Sequence, residues 1–190
     1  MEPEGSLGKY FDSLYRITLR ISSSLDLDNV LSYLTEETAG AVSVKASSVR
    51  LLDKEGKRLE MRAVYGLSDS YLNKGPVEVT RSAVDQEILA GNATQLPDVT
   101  TDPSFQYPDE AAREGIVSVA SVPLIAHGRA IGVLRVYSHK PRTFSDEDMH
   151  FLIAVADLAA LSIENARLYD QVKQKYEDTM NILWGDEPAR

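Results

Sequence analysis

Apolar positions change their period along this chain, and the changes mark out its elements. Leu7, Phe11, Leu14, Thr18, Ile21 and Leu25 recur at alternating spacings of four and three, which predicts a first helix with a heptad seam. Ser22, Ser23 and Ser24 weaken its end. Asp26 or Asp28 then caps a second helix over 29–42, with Val30, Leu31, Leu34 and Thr38 inward. The period next drops to two: 46–52 and 58–65 read as strands, joined into a hairpin by the turn-forming residues 53–57. Short elements follow: a helical turn at 68–73, an edge strand at 76–79, a helix at 82–90 with Ser82 as N-cap and Gly91 as its stop, and a strand at 94–96.

Residues 97–115 are the least regular. Pro97, Pro103, Pro108 and Gly115 punctuate them, with Asp98, Asp102, Phe105 and Tyr107 between and a short helix expected at 109–113. A long irregular segment with aromatic residues, set inside a domain, reads as a lid or binding loop; a plain surface connection is the alternative. Residues 117–126 form the next strand, and His127-Gly128-Arg129 turns tightly into the last one, AIGVLRVYSH from Ala130. Pro141 stops that strand. Ser145, with Asp148 three residues on, makes an N-cap with a capping-box carboxylate.

A long helix begins there with two stripes. Phe151, Val155, Leu158, Ser162, Asn165, Tyr169, Val172, Tyr176, Thr179 and Leu183 form a heptad seam, while Leu152, Ala156, Ala159, Ile163 and Ala166 widen the apolar face of the first half only. The first half suits packing on a sheet and the second suits one partner helix. Ser162, Asn165 and Thr179 are imperfect seam residues that can still fix register. Strand, turn and helix form one mechanical unit. Hairpin, crossover and hairpin, with helices at both ends, predict an α+β fold on an antiparallel sheet, helices on one face and irregular segments on the other.

Composition narrows the function. A chain of 190 residues, 43% hydrophobic, suits one domain with helical extensions. It has no cysteine, which removes disulfides, Cys-based metal sites, thiol catalysis and thioether-linked chromophores. The N-terminus lacks a signal pattern and no apolar run approaches a membrane span, so a cytoplasmic protein without a membrane partner is expected. A net charge of −9 argues against a nucleic-acid surface but leaves room for a small anion in a local pocket.

Arg135 is the most informative single residue. It sits mid-strand, with Val133 and Tyr137 on its side and Leu134 and Val136 on the other. A buried guanidinium must be paired or face a cavity, so it either grips a ligand or pairs with an internal acid, with Asp98 as the candidate. Ser118 and Ser121 on the neighbouring strand are candidate hydroxyl contacts, and Tyr65, Tyr71, Phe105, Tyr107 and Tyr137 candidate pocket walls. His127, His139 and His150 lack a metal-ligand spacing, and no phosphate loop, nucleophile elbow or carboxylate pair appears, so no metal site and no enzyme is expected. His150 as a phosphoacceptor is set aside, since it lies in the sheet-packed half of the helix and no ATP-binding motif follows.

The residues Val122-Pro123-Leu124, Ile131-Gly132-Val133-Leu134, Phe144-Ser145 with acids after it, and the helix over 159–169 together resemble the C-terminal half of a GAF domain; Leu25-Asp26-Leu27-Asp28, Ser48 to Leu52 and Gly66-Leu67 match its N-terminal half more loosely. The resemblance covers 27–168. It implies a six-stranded antiparallel sheet with the long terminal helices packed on one face, short helices and loops on the other, and a small-molecule pocket on the face opposite the terminal helices. Covalent bilin attachment and the methionine sulfoxide reductase activity of some members need cysteines that this chain lacks. Of the five residues in the cyclic-nucleotide signature, His139, Lys140, Phe144, Asp148 and Met149 stand at the matching positions and three agree, Lys140 and Asp148 forming a possible ion pair across the strand–helix turn.

The expected organisation is thus an N-terminal signalling helix at 1–26, a GAF-like domain at 27–168 and a helical extension at 169–190. The expected function is non-catalytic: a sensory module that binds an unidentified small molecule and relays the change through terminal helices paired in a homodimer. The alternative is a ligand-free dimerisation or protein-docking module with a collapsed pocket. No output domain is legible, so the chain reads as part of a longer protein or as one acting on partners.

Overall fold

The structure, a computed structural model, describes residues 4–24 and 26–184. Two antiparallel hairpins form its centre, β1 (Ala46–Leu52) with β2 (Arg58–Tyr65) and β5 (Ser118–Ala126) with β6 (Arg129–Ser138). They join through β1 and β6, also antiparallel, and β3 (Val77–Glu78) and β4 (Thr94–Leu96) complete the edges of a six-stranded sheet ordered β3-β2-β1-β6-β5-β4. This is the α+β architecture expected. His127 and Gly128, both at positive φ (49° and 74°), supply the two left-handed residues that a tight β5–β6 turn requires. Gly132 is needed for a different reason: a Cβ there would lie 2.2 Å from the Arg50 carbonyl oxygen, so β1 and β6 approach each other over a missing side chain.

Alternation assigns the faces. Val49, Ala120, Val122, Leu124, Leu134 and Val136 pack with Leu31, Leu34, Leu152, Val155 and Ala159 into the main core. That face is covered by α1 (Glu4–Ser23), α2 (Leu27–Ala41) and the 39-residue α6 (Asp146–Trp184). The opposite face carries α3 (Asp69–Leu72), α4 (Ala83–Leu89) and α5 (Pro108–Glu114) over two smaller clusters, one around Tyr71, Phe105, Val119 and Tyr137, the other around Leu59, Val84, Ile88 and Val133.

Helix α1 turns its expected seam partly outward. Tyr10, Ser13 and Ile17 are its buried residues, Leu14 and Ile21 flank them, and Leu7, Phe11 and Thr18 are exposed; Leu25 lies outside the described residues. Ser13 looks polar in the sequence but donates to Glu37 at 2.8 Å, which lets it serve as an inner position, and Tyr10 stacks on Phe151 with ring centroids 4.5 Å apart. In α6 the seam splits as its stripes suggest. Phe151, Val155 and Ser162 are buried, whereas Asn165, Tyr169, Val172, Tyr176 and Thr179 are exposed; the side chain of Leu183 lies outside the described set.

The strand–helix junction is tightly bonded. Ser145 and Asp148 form the capping box, with Asp148 N–H donating to Ser145 Oγ at 3.2 Å and Ser145 N–H to Asp148 Oδ2 at 3.0 Å. The partner of Asp148 across the turn is Arg142, at 2.6 Å, and not Lys140. Arg142 also donates to the Val42 carbonyl at 2.6 Å, and the Tyr10 hydroxyl donates to Asp148. One carboxylate thus ties α1, the end of α2 and the first turn of α6 together.

Candidate functional site

Arg135 sits on the face away from the terminal helices, as its parity requires, and is 5% exposed. Its Nη2 meets Asp85 Oδ1 at 2.7 Å, and its Nε donates to Ser121 Oγ at 2.6 Å. Asp85 lies in the first turn of α4, where Ser82 caps the helix and its hydroxyl donates to Asp85 Oδ2 at 2.6 Å. The internal acid is therefore Asp85, not Asp98. Burial opposes the charge on Arg135, but Asp85 more than offsets this and holds the guanidinium protonated.

A small cavity of about 10 Å³ lies in front of this pair, lined by Arg50 of β1, Tyr71 and Lys74 after it, Phe105, Gln106 and Tyr107, and Tyr137 of β6. Tyr137 meets the Ser48 hydroxyl at 2.9 Å and sits edge-on to Tyr71. The Arg135 guanidinium lies 5.9 Å from the centre of the Phe105 ring. Of the residues expected at a site, Arg135, Ser121, Tyr71, Phe105, Tyr107 and Tyr137 come together here. Three do not. Ser118 is an odd number of residues from Ser121 on a regular strand, so it faces the helices, where it donates to the Lys140 carbonyl at 2.8 Å. Tyr65 pairs across the ladder with Ser47, whose hydroxyl donates to the Thr35 carbonyl of α2, so it too belongs to the helical side, 42% exposed. Asp98 accepts from the backbone and hydroxyl of Thr100 and holds a turn.

Three charged residues of the cluster are not among the candidates picked out by the sequence: Arg50, Lys74 and Asp85. Arg50 had a signal, being a charge of the same parity as Ser48 in a strand of small and apolar residues. Nothing in the sequence distinguishes Asp85 from an ordinary first-turn acid, or Lys74 from an ordinary loop lysine.

Lys74 is cradled by aromatic rings, its Nζ 3.6 Å from the centre of Tyr71 and 5.5 Å from that of Tyr107, and it donates to the Tyr71 carbonyl at 3.2 Å. Burial first, then Arg50 and Arg135, pull its pKa from 10.5 to about 7, while Glu110 and Glu114 of α5 partly oppose them. Asp85, Tyr107 and Tyr137 complete the titratable groups around the cavity. The sign follows from linkage. Between about pH 7 and 10.5 the unfolded chain holds more protons on Lys74 than the folded one, so this residue's contribution to stability rises with pH across that window. Below it Lys74 is charged in both states and opposes folding in full. Lys74→Met is therefore expected to raise the melting temperature most at about pH 6, with the gain vanishing towards pH 10.5. Melting curves of both proteins across that range check it; a gain that grows with pH would contradict it.

Among the described residues no group of three or more His, Asp or Glu side chains is placed to hold a metal, and no helix is long and apolar enough to cross a membrane.

A six-stranded antiparallel sheet with long terminal helices on one face and a small buried cluster beneath short elements on the other defines one class of α+β module. Residues 24–164 match the model of the GAF domain, and the chain belongs to that family. It is 27% identical over 84% of its length to the methyl sulfide methyltransferase-associated sensor of Methanosarcina acetivorans, and 27% identical over 82% to the Nif-specific regulatory protein of Azorhizobium caulinodans. It spans 16% and 26% of those two proteins. The crystal structure of the GAF domain from an Acinetobacter phosphoenolpyruvate-protein phosphotransferase superposes with a TM-score of 0.72 at 25% identity, covering 88% of this chain and 97% of that domain. The relatives are sensor and regulatory signalling proteins.

Proposed function

We propose that this chain is a non-catalytic sensory module of the cytoplasm that takes a small ligand at the Arg135 cluster and passes the change to paired terminal helices. The observation that carries this reading is continuity along one strand. β6 bears Arg135 and Tyr137 at the cluster and runs through the bonded turn at 142–148 into α6. Displacement of β6 moves the first turn of α6, and a rigid helix carries that motion outward.

The reading also needs a second chain. Beyond Ala166, α6 continues for about five turns with every described side chain exposed, Val172 at 67%. A free helix of that length is marginal in water, so its seam calls for a partner. Phe11 of α1 is a further large apolar side chain left exposed, at 71%. Light scattering during size exclusion at tens of micromolar is expected to give a dimer, and Val172→Glu with Tyr176→Glu a monomer. A wild-type monomer at that concentration overturns the paired-helix relay.

The small cavity favours a second reading, a dimerisation or docking module with a closed pocket. Native mass spectrometry of gently purified protein separates the two: a co-purifying small molecule supports the sensor, and its absence through a ligand screen the docking module.

A further inference from the structure

We propose that the cavity takes a small oxoanion headgroup, a carboxylate or a phosphate, held by Arg50 and Lys74 in front of Arg135. This deepens the ligand-binding reading above and rests on it. The observation is an imbalance of charge. Arg50, Lys74 and Arg135 line the cavity, and Asp85 is the one acid among the described residues that do so. Asp85 is already engaged by Arg135 and by the Ser82 hydroxyl.

Arg50 is left over. It is 6% exposed, its Nη1 makes a long 3.4 Å bond to the Leu59 carbonyl, and its Nε is buried without a partner. Gln106 repeats the pattern: its Oε1 accepts from the Glu78 backbone at 3.1 Å, while its Nε2 is buried with nothing to donate to. Two unmatched N–H donors and an ammonium therefore share one cavity whose acid is spent. Buried donors without acceptors destabilise a fold, and a buried cation without a counter-charge does so more. A cationic ligand would worsen this, and an uncharged one can satisfy the donors but leaves the charge uncorrected. A carboxylate or phosphate supplies both the acceptors and the charge, in the geometry a guanidinium binds best.

At about 10 Å³ the cavity has room for roughly one water, so an oxoanion enters only when the segment over it lifts. That segment is 105–107, and its ties are hydrogen bonds to 76–78: Tyr107 hydroxyl to the Pro76 carbonyl at 2.8 Å, and Glu78 N–H to Gln106. Binding at this cluster thus requires motion in the stretch that reads as a lid.

The net charge of −9 makes the test clean, because general anion binding to this surface is disfavoured. Melting curves and titration calorimetry at low ionic strength would compare succinate, inorganic phosphate and the uncharged succinamide. Succinate or phosphate is expected to bind and raise the melting temperature, succinamide is not, and which anion binds identifies the headgroup. Arg50→Met and Lys74→Met are each expected to weaken binding about tenfold or more. Lys74→Met, expected to fold at least as well as wild type at neutral pH, keeps the test open if Arg50→Met misfolds. Equal binding of succinamide, or undiminished anion affinity in Lys74→Met, overturns the anion assignment and leaves the pocket as a site for another class of ligand. No binding by these three, nor by a set of uncharged heterocycles in the same assay, overturns the ligand-binding reading with it.

Discussion

Asp85→Ala is expected to cost about 3–5 kcal/mol of stability, read as a fall in the urea midpoint at unchanged slope. Three cationic side chains line the cavity beside this one carboxylate, and its loss strands Arg135 with Ser121 as its remaining side-chain partner. The cost comes from leaving a buried guanidinium without its counter-charge rather than from the worth of the pair itself. The variant also loses part of the Ser82–Asp85 cap of α4, a smaller effect of roughly 1 kcal/mol. A double variant separates the two. Asp85→Leu with Arg135→Met removes both charges and keeps the volume filled, so it should recover most of the loss. If Asp85→Ala costs less than about 1 kcal/mol, or if the double variant is no better than the single one, the buried pair does not hold α4 to β6.

The same pair shows how far the sequence could be read. Period-two patterning places β1 and β2 at their observed limits and marks Arg135 as a buried charge, because a strand's two faces can be counted residue by residue. Its counter-charge was not legible. Asp85 is 50 residues away on a different element, and nothing local distinguishes a helix-start carboxylate that also reaches across to a strand. One misplacement and one omission were avoidable. Ser118 and Ser121 cannot share a face of an unbroken strand, and Arg50 announces itself by the reasoning that picks out Arg135. Tyr65 is harder. A register shift between Val49 and Arg50 moves the β2 pairing by one residue, so the face of Tyr65 depends on a bulge that the alternation does not display. In α1 the inward face is not legible, because Ser13 and Tyr10 are buried through partners on other elements, Glu37 and Asp148, which hydrophobicity cannot foresee.

Asp148→Asn is expected to show whether α1 and α6 move as one body. In the folded state burial works to raise the pKa of this carboxyl, but hydrogen bonds from Tyr10, from the Ser145 N–H and from Arg142 outweigh it and hold the group below its ordinary 3.8. A depressed folded value means stability that is fully present above 3.8 and lost as the pH falls through the folded value. The asparagine keeps one acceptor oxygen but turns an amide N–H₂ towards donors, and it removes the counter-charge of a partly exposed Arg142, so a loss of about 2–4 kcal/mol is expected at neutral pH. The gap between the two proteins should close in acid, because wild type then loses the same charge. Its location gives the variant a second signature. Tyr10 belongs to α1, Val42 ends α2, and Ser145 starts α6, so losing the shared carboxylate should speed amide exchange in α1 and the first turn of α6 while the β1–β6 ladder stays protected. Exchange that rises evenly through sheet and helices would mean that Asp148 serves global stability alone. A change confined to the helices would make this carboxylate the joint between α1 and the start of α6.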